Sequence, residues 1–171
     1  MAHYRILPEQ SRVWIDAQSS LHPIHSETTG LEGWLDLDIT EESSVNLAVA
    51  PRGHLELGVD RLRSGNVLED RELRRRIDAG RFPLIAGELK DIQATDRDGS
   101  YLVGGDLTFR GTTRSYKDVM SVAVLDARTV RLMGRSTFDI RDFGMEPPRI
   151  LMLRVHPEVT VRIDLVAESS E

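Results

Sequence analysis

Cysteine is missing from all 171 residues, which excludes disulfides, thiolate catalysis and thiolate metal sites. Aromatic residues make up only 5% of the chain, too few to favour a site that stacks a planar cofactor. No apolar run approaches the ~20 residues that a membrane-crossing helix needs, so no integral membrane segment is expected. Basic residues are outnumbered, 22 Lys and Arg against 28 Asp and Glu. The resulting net charge of −6 argues against a nucleic-acid surface, because neutralising phosphates takes a net basic face. There is no Pro/Gly/Ser-rich linker, low-complexity tract or repeat, and residues 1–171 are expected to form a single domain. The first residues, Met1-Ala2-His3-Tyr4-Arg5-Ile6, have neither the apolar run nor the small-residue cleavage site of a secretory signal. Cytoplasmic residence is therefore the expectation. Gly-x-Ser-x-Gly, a phosphate loop and Gly-x-Gly-x-x-Gly are all lacking, and no nucleophile–base pair can be named. No catalytic motif is recognised, and no cofactor is expected.

What is present is alternation. Leu107 and Phe109 alternate with Asp106, Thr108 and Arg110, and glycines bracket the stretch, the pattern of a strand with one apolar and one wet face. The same alternation recurs at 13–17, 34–39, 55–59 and 159–165, and further strands are expected at 83–89, 101–110, 115–125, 129–140 and 158–167. Asp98-Gly99 and Asp126-Ala127-Arg128 separate apolar runs as short reversals do. Eight or nine strands in hairpin connection predict an all-β fold, a single closed antiparallel barrel, because closure removes aggregation-prone edges. A two-sheet sandwich is the structural alternative. Taking the larger apolar set of each strand as inward gives Val13, Ile15, Ala17, Leu35, Leu37, Ile39, Leu55, Leu57, Val59, Leu107, Phe109, Val159, Val161, Ile163 and Leu165. The predicted lumen is aliphatic and suits a flexible hydrocarbon. A barrel of about eight strands either fills with its own side chains or holds one slender ligand, and alternation alone leaves both open.

One short helix is predicted from Asn66 onward. Asn66 can cap it, Glu69 stands where a capping-box partner would, Arg74-Arg75-Arg76 fall in its last turn and Gly80 can close it. Leu73 and Ile77 share one narrow face, which predicts a helix lying across a barrel end. His22-Pro23-Ile24-His25 has metal-like spacing, but residues three apart on an extended strand point to opposite faces. A surface loop with hydrogen-bonded histidines is the plainer reading, with a metal-dependent enzyme centred on His22 and His25 as a competitor. Segment 146–155 is apolar on both faces behind Pro147-Pro148. It is read as a lid or closure of the barrel, with self-association the alternative.

Four stretches in order resemble the YceI-like family. They are Arg71-Glu72-Leu73-Arg74, Ile77-Asp78-Ala79-Gly80-Arg81-Phe82-Pro83, Gly105-Asp106-Leu107-Thr108-Phe109-Arg110-Gly111-Thr112-Thr113-Arg114 and Phe138-Asp139-Ile140-Arg141-Asp142-Phe143-Gly144-Met145. The resemblance implies an extended eight-stranded, lipocalin-like barrel that binds a long polyisoprenoid or another amphiphilic lipid, as carrier or storage protein. The expected ligand-binding residues are Val13, Ile15, Leu35, Leu37, Leu55, Leu57, Leu107, Phe109, Val161 and Ile163. A polar head is expected near the mouth, where Arg12, Arg52, Arg141 and Arg149 are candidates for an anionic group. Gly87 stands where the family carries a large apolar residue, implying either a wider lumen or a close backbone approach. The partners expected are one amphiphilic lipid and a possible second copy in a homodimer. A ligand-free structural dimer module is the remaining reading.

Overall fold

The computed structural model describes residues 1–150 and 152–170. Eleven strands lie within them: β1 (Ala2–Ile6), β2 (Arg12–Ser19), β3 (Pro23–Thr28), β4 (Glu32–Leu37), β5 (Arg52–Gly58), β6 (Leu84–Ala94), β7 (Ser100–Phe109), β8 (Thr112–Val124), β9 (Thr129–Asp139), β10 (Arg149–Ile150) and β11 (Leu153–Ser169). The helix α1 (Val67–Ile77) stands between β5 and β6. Hydrogen-bonded neighbours run β1-β4-β5-β6-β7-β8-β9-β11, and β11 returns to β1, closing an eight-stranded antiparallel barrel. The sandwich is thereby excluded.

Strands β2 and β3 extend this ring. Tyr4 and Ile6 of β1 pair with Ser169 and Ala167 of β11. Further along the same strand, Val13 and Ala17 of β2 pair with Ile163 and Val159. One edge of the 17-residue β11 therefore carries β1 and then β2 in succession, with β4 and β3 as their outer neighbours. Where β3 runs past the end of the β4–β5 ladder, its outer edge has no strand partner among the described residues.

The helix forms for the reasons its sequence supplies. The Asn66 side chain accepts from the backbone N–H groups of Leu68 and Glu69. Two expectations about its ends are corrected. The capping box does not close, because Ser64 Oγ takes the Asn66 N–H and the Glu69 carboxylate turns to His22 Nε2, 3.6 Å away. The left-handed closing residue is Asp78, φ +59°, instead of Gly80. Ile77, fully buried, and Leu73 face the barrel interior, so α1 does lie across one end.

That end also carries the β2–β3 and β7–β8 turns and the β9–β11 connection. The opposite end holds the 38–51 loop, where the Val45 N–H donates to Tyr101 Oη at 2.9 Å and both residues are buried. Core side chains there, including Leu37, Val122, Val130 and Leu165, are nearly inaccessible, each contributing on the order of 1.5–3 kcal/mol by burial. One end of the barrel is packed shut, and the other is roofed by a single helix.

Segment 23–28 is a strand, not the surface loop expected around His22 and His25. Pro23 falls at its first position, where a missing N–H is tolerated, and Ile24 and Ser26 turn inward. Within segment 146–155, Arg149 and Ile150 of β10 pair with Arg154 and Leu153 of β11. Met145, Pro148 and Val155 face the interior while Met152 is exposed. Leu151 lies outside the described residues.

Candidate functional site

The interior retains a cavity of about 460 Å³, within the range of small-molecule sites. Thirteen of the fifteen side chains expected to point inward line it, among them Val13 and Ile15 from β2, Leu35 and Leu37 from β4, Leu55 and Leu57 from β5, Leu107 and Phe109 from β7, and Val161 and Ile163 from β11. Ile39 and Val59 do not, because Ile39 lies beyond the end of β4 and Val59 opens a 3-10 turn after β5. The cause is the period-two alternation of each strand, which a one-residue slip would have inverted. The wet faces carry what the lumen excludes. Trp14 lies under the Arg162 guanidinium at 4.4 Å and Trp34 stacks on His3 at 5.7 Å, both outside.

Gly87 faces the cavity, and a Cβ there would meet only Leu55 Cβ, at 4.0 Å. Of the two possibilities the glycine implied, the wider lumen is the one realised. Gly105 and Gly134, also inward, are close approaches instead. Their Cβ atoms would fall 2.7 Å from the Glu88 carbonyl oxygen and 2.8 Å from Met120 Cγ.

The expectation of an aliphatic lining holds for most of the wall but fails under the helix. Three of the four phenylalanines and one tyrosine meet there. Phe109 packs edge-on to Phe143 with centroids 5.6 Å apart, Tyr116 edge-on to Phe138 at 4.7 Å, and Tyr116 also stacks on Phe143 at 6.2 Å. Low aromatic content hid this because the few rings are concentrated in one layer. The Tyr116 hydroxyl is buried without a hydrogen-bond partner among the described residues. Burial, and next the Asp142 carboxylate, push it above its ordinary pKa of 10.0.

A second feature missed in the sequence is polar. On β8 the residues Tyr116, Asp118, Met120 and Val122 face the lumen while Lys117, Val119 and Ser121 are exposed. Asp118 is thus placed inside, accepting from Ser136 Oγ of β9. The alternation that found Leu107 and Phe109 was equally present in 115–125, with a carboxylate standing in the apolar register.

Beside the unpaired edge of β3 the wall is closed by side chains instead of a ladder. Ser26 Oγ donates to the Arg63 carbonyl at 2.5 Å and accepts from the Arg63 N–H at 3.2 Å. The His22–Glu69 contact joins the same two lips. Arg63 borders both the lumen and an outer groove of about 600 Å³ lined by Arg12, Glu27, Thr28, Thr29, Asp60 and Arg61. Of the arginines considered for a head group, Arg12 is in this groove, held by Glu27 at 2.5 Å. Arg141 pairs with Asp139 at 2.6 Å and Arg149 is exposed on β10, both at the helix end. Arg52 lies at the opposite end, over Trp34.

The two histidines of the metal reading are not brought together on one site. His25 Nδ1 contacts Asp16 Oδ1 at 2.5 Å on the outside of the β2–β3 pair, while His22 in the hairpin faces Glu69. No group of three or more His, Cys, Asp or Glu side chains with metal-binding geometry occurs among the described residues. Among those residues, too, no helix is long and apolar enough to cross a membrane.

A closed antiparallel barrel with one sealed end, one helix-roofed end and a hydrocarbon-lined cavity defines a lipocalin-like architecture. The YceI-like domain profile matches residues 4–167, and the chain belongs to that family. Among solved structures it resembles BcnA of Burkholderia cenocepacia, with TM-score 0.76 and 16% identity over 94% of this chain and 98% of that one. It also resembles a polyisoprenoid-binding domain from Saccharophagus degradans implicated in plant cell wall breakdown, with TM-score 0.76 and 13% identity over 99% of both chains. The YceI protein of Campylobacter jejuni gives TM-score 0.63 and 12% identity over 82% of each. At these identities the likeness shows the shared fold. No curated protein matches the sequence.

Proposed function

We propose that this protein binds a long-chain amphiphilic lipid, a polyisoprenoid or a similar molecule, inside the barrel and serves as its carrier or store. The observation that carries the reading is the roughly 460 Å³ cavity walled by inward aliphatic side chains from β2, β4, β5, β7 and β11. Family membership and the likeness to a polyisoprenoid-binding domain support it. Affinity would come from hydrocarbon burial, about 0.8 kcal/mol for each methylene removed from water, and should rise with chain length. Binding rather than catalysis fits a lumen in which no nucleophile–base pair is assembled among the described residues.

Gly87→Leu gives the direct test, because the new side chain would project into open lumen and displace ligand methylenes. In titrations with prenyl or fatty-acyl probes the variant should bind about tenfold or more weakly than wild type, with its thermal transition preserved. Equal affinity would place the ligand elsewhere than in the barrel.

A further inference from the structure

Asp118 puts a carboxylate on the inward face of a barrel strand, in a wall that is mostly apolar and whose other polar members include Glu69 and Asp70 of α1 and Arg63 beside that helix. Its neighbours on the inward face of β8 are Tyr116 and Met120. Across the β7 ladder it pairs with Val103. Its recorded hydrogen bond comes from Ser136, and no cation lies within ion-pair distance of it among the described residues. A carboxylate facing hydrocarbon is costly unless it is paired, and one hydroxyl satisfies one of its roughly four lone-pair sites.

Its position is as informative as its chemistry. Ser136 pairs with Val161, Val161 with Ile15, and Ile15 with Ser26. The last of these is the residue that closes the side-chain seam against Arg63. Through its hydrogen bond from Ser136, Asp118 therefore lies level with the side-chain seam beside β3, four strands and about 19 Å around the wall at a strand spacing of ~4.8 Å. The position expected for a polar head was the rim, whereas this group lies inside.

Resting on the lipid-binding reading above, we infer that Asp118, with Ser136, selects the ligand's polar group from within the lumen. The favoured class is an isoprenoid-type amphiphile whose polar group donates hydrogen bonds, amine above hydroxyl, and phosphate or carboxylate heads are kept out. An ammonium would supply the missing countercharge, and charge-assisted hydrogen bonds are about twice as strong as neutral ones. A hydroxyl would donate to a vacant lone pair. An anionic head would face like-charge repulsion in a low-dielectric cavity.

The test uses four probes of one chain length, namely geranylgeranylamine, geranylgeraniol, geranylgeranyl phosphate and the unsubstituted hydrocarbon, each titrated into wild type, Asp118→Asn and Asp118→Leu. In wild type the amine should bind about tenfold or more tightly than the phosphate. Asp118→Leu should lose that preference while binding the hydrocarbon at least as well, which also shows that its barrel is intact. Asp118→Asn should retain the alcohol and lose the advantage of the amine. The inference is overturned if wild type binds phosphate and amine alike, or if the ranking survives in Asp118→Leu. Hydrocarbon binding without discrimination among heads would remove this inference alone. Failure of every probe, the hydrocarbon included, would remove the lipid reading with it.

Discussion

At the scale of single residues, two positions carry consequences that can be measured. Gly144 ends the turn formed by Ile140–Phe143 with φ +69° and ψ +18°, a left-handed conformation that a β-branched side chain resists. Space is not the obstacle, since a Cβ would stand 3.5 Å from the Arg110 guanidinium. Gly144→Val should therefore lower unfolding free energy by at least about 1 kcal/mol through backbone strain, read from denaturant titration, and an unchanged midpoint would contradict it. His54, on the outer face of β5, contacts Glu56 at 2.8 Å and also Glu88. Its hydrogen bond to Glu56, then that to Glu88, holds its pKa above the ordinary 6.5. Because folding favours the charged imidazole, its stabilising effect is complete below pH 6.5 and is lost as pH rises through the elevated value. The stability difference between wild type and His54→Gln should accordingly be largest below pH 6.5 and shrink as pH rises above it. A difference that stays constant, or grows with pH, would show that these carboxylates do not favour the charged ring.

At the scale of elements, α1 is the one α-helix among the described residues and the roof of the cavity. Asn66→Ala removes the acceptor for two backbone N–H groups and should cost about 1 kcal/mol. Faster amide exchange should appear in the first turn of α1 and not in the barrel strands. Uniformly unchanged exchange would mean that the cap is dispensable. In the last two turns, Glu72 is clamped by Arg75 and Arg76 at 2.9 and 2.8 Å. Its bond from Arg75, then that from Arg76, lowers its pKa to about 2. The clamp is whole above pH 4.5 and releases as pH falls toward 2, so Glu72→Gln should flatten the acid side of the helix's stability profile. Elements whose pattern was strong were legible in the sequence: the barrel staves, the start of α1 at Asn66 and its placement across an end. Those missed were short or wrapped in polar residues. β1 has only five residues, and β3 alternates apolar with charged and hydroxyl side chains beside His22 and Pro23. Its strand character comes from pairing with β2, which no local pattern encodes.

At the scale of the whole molecule, antiparallel closure turns ten residues scattered over five strands into one surface, and those ten were readable because each lies on the apolar side of a period-two strand. Asp118 and the ring layer of Phe109, Tyr116, Phe138 and Phe143 were not. The first runs against the apolar register, and the second exists only when the β7, β8 and β9 ends are gathered beneath α1. The sealed end and the roofed end together make a container with a side-chain seam, and the lipid-binding proposal concerns what that container holds. Native mass spectrometry of freshly purified protein, followed by organic extraction and lipid analysis, measures this most directly. The expected result is one long-chain apolar compound per chain, released on denaturation and depleted in Gly87→Leu. An empty protein that also takes up no prenyl or fatty-acyl probe would contradict it.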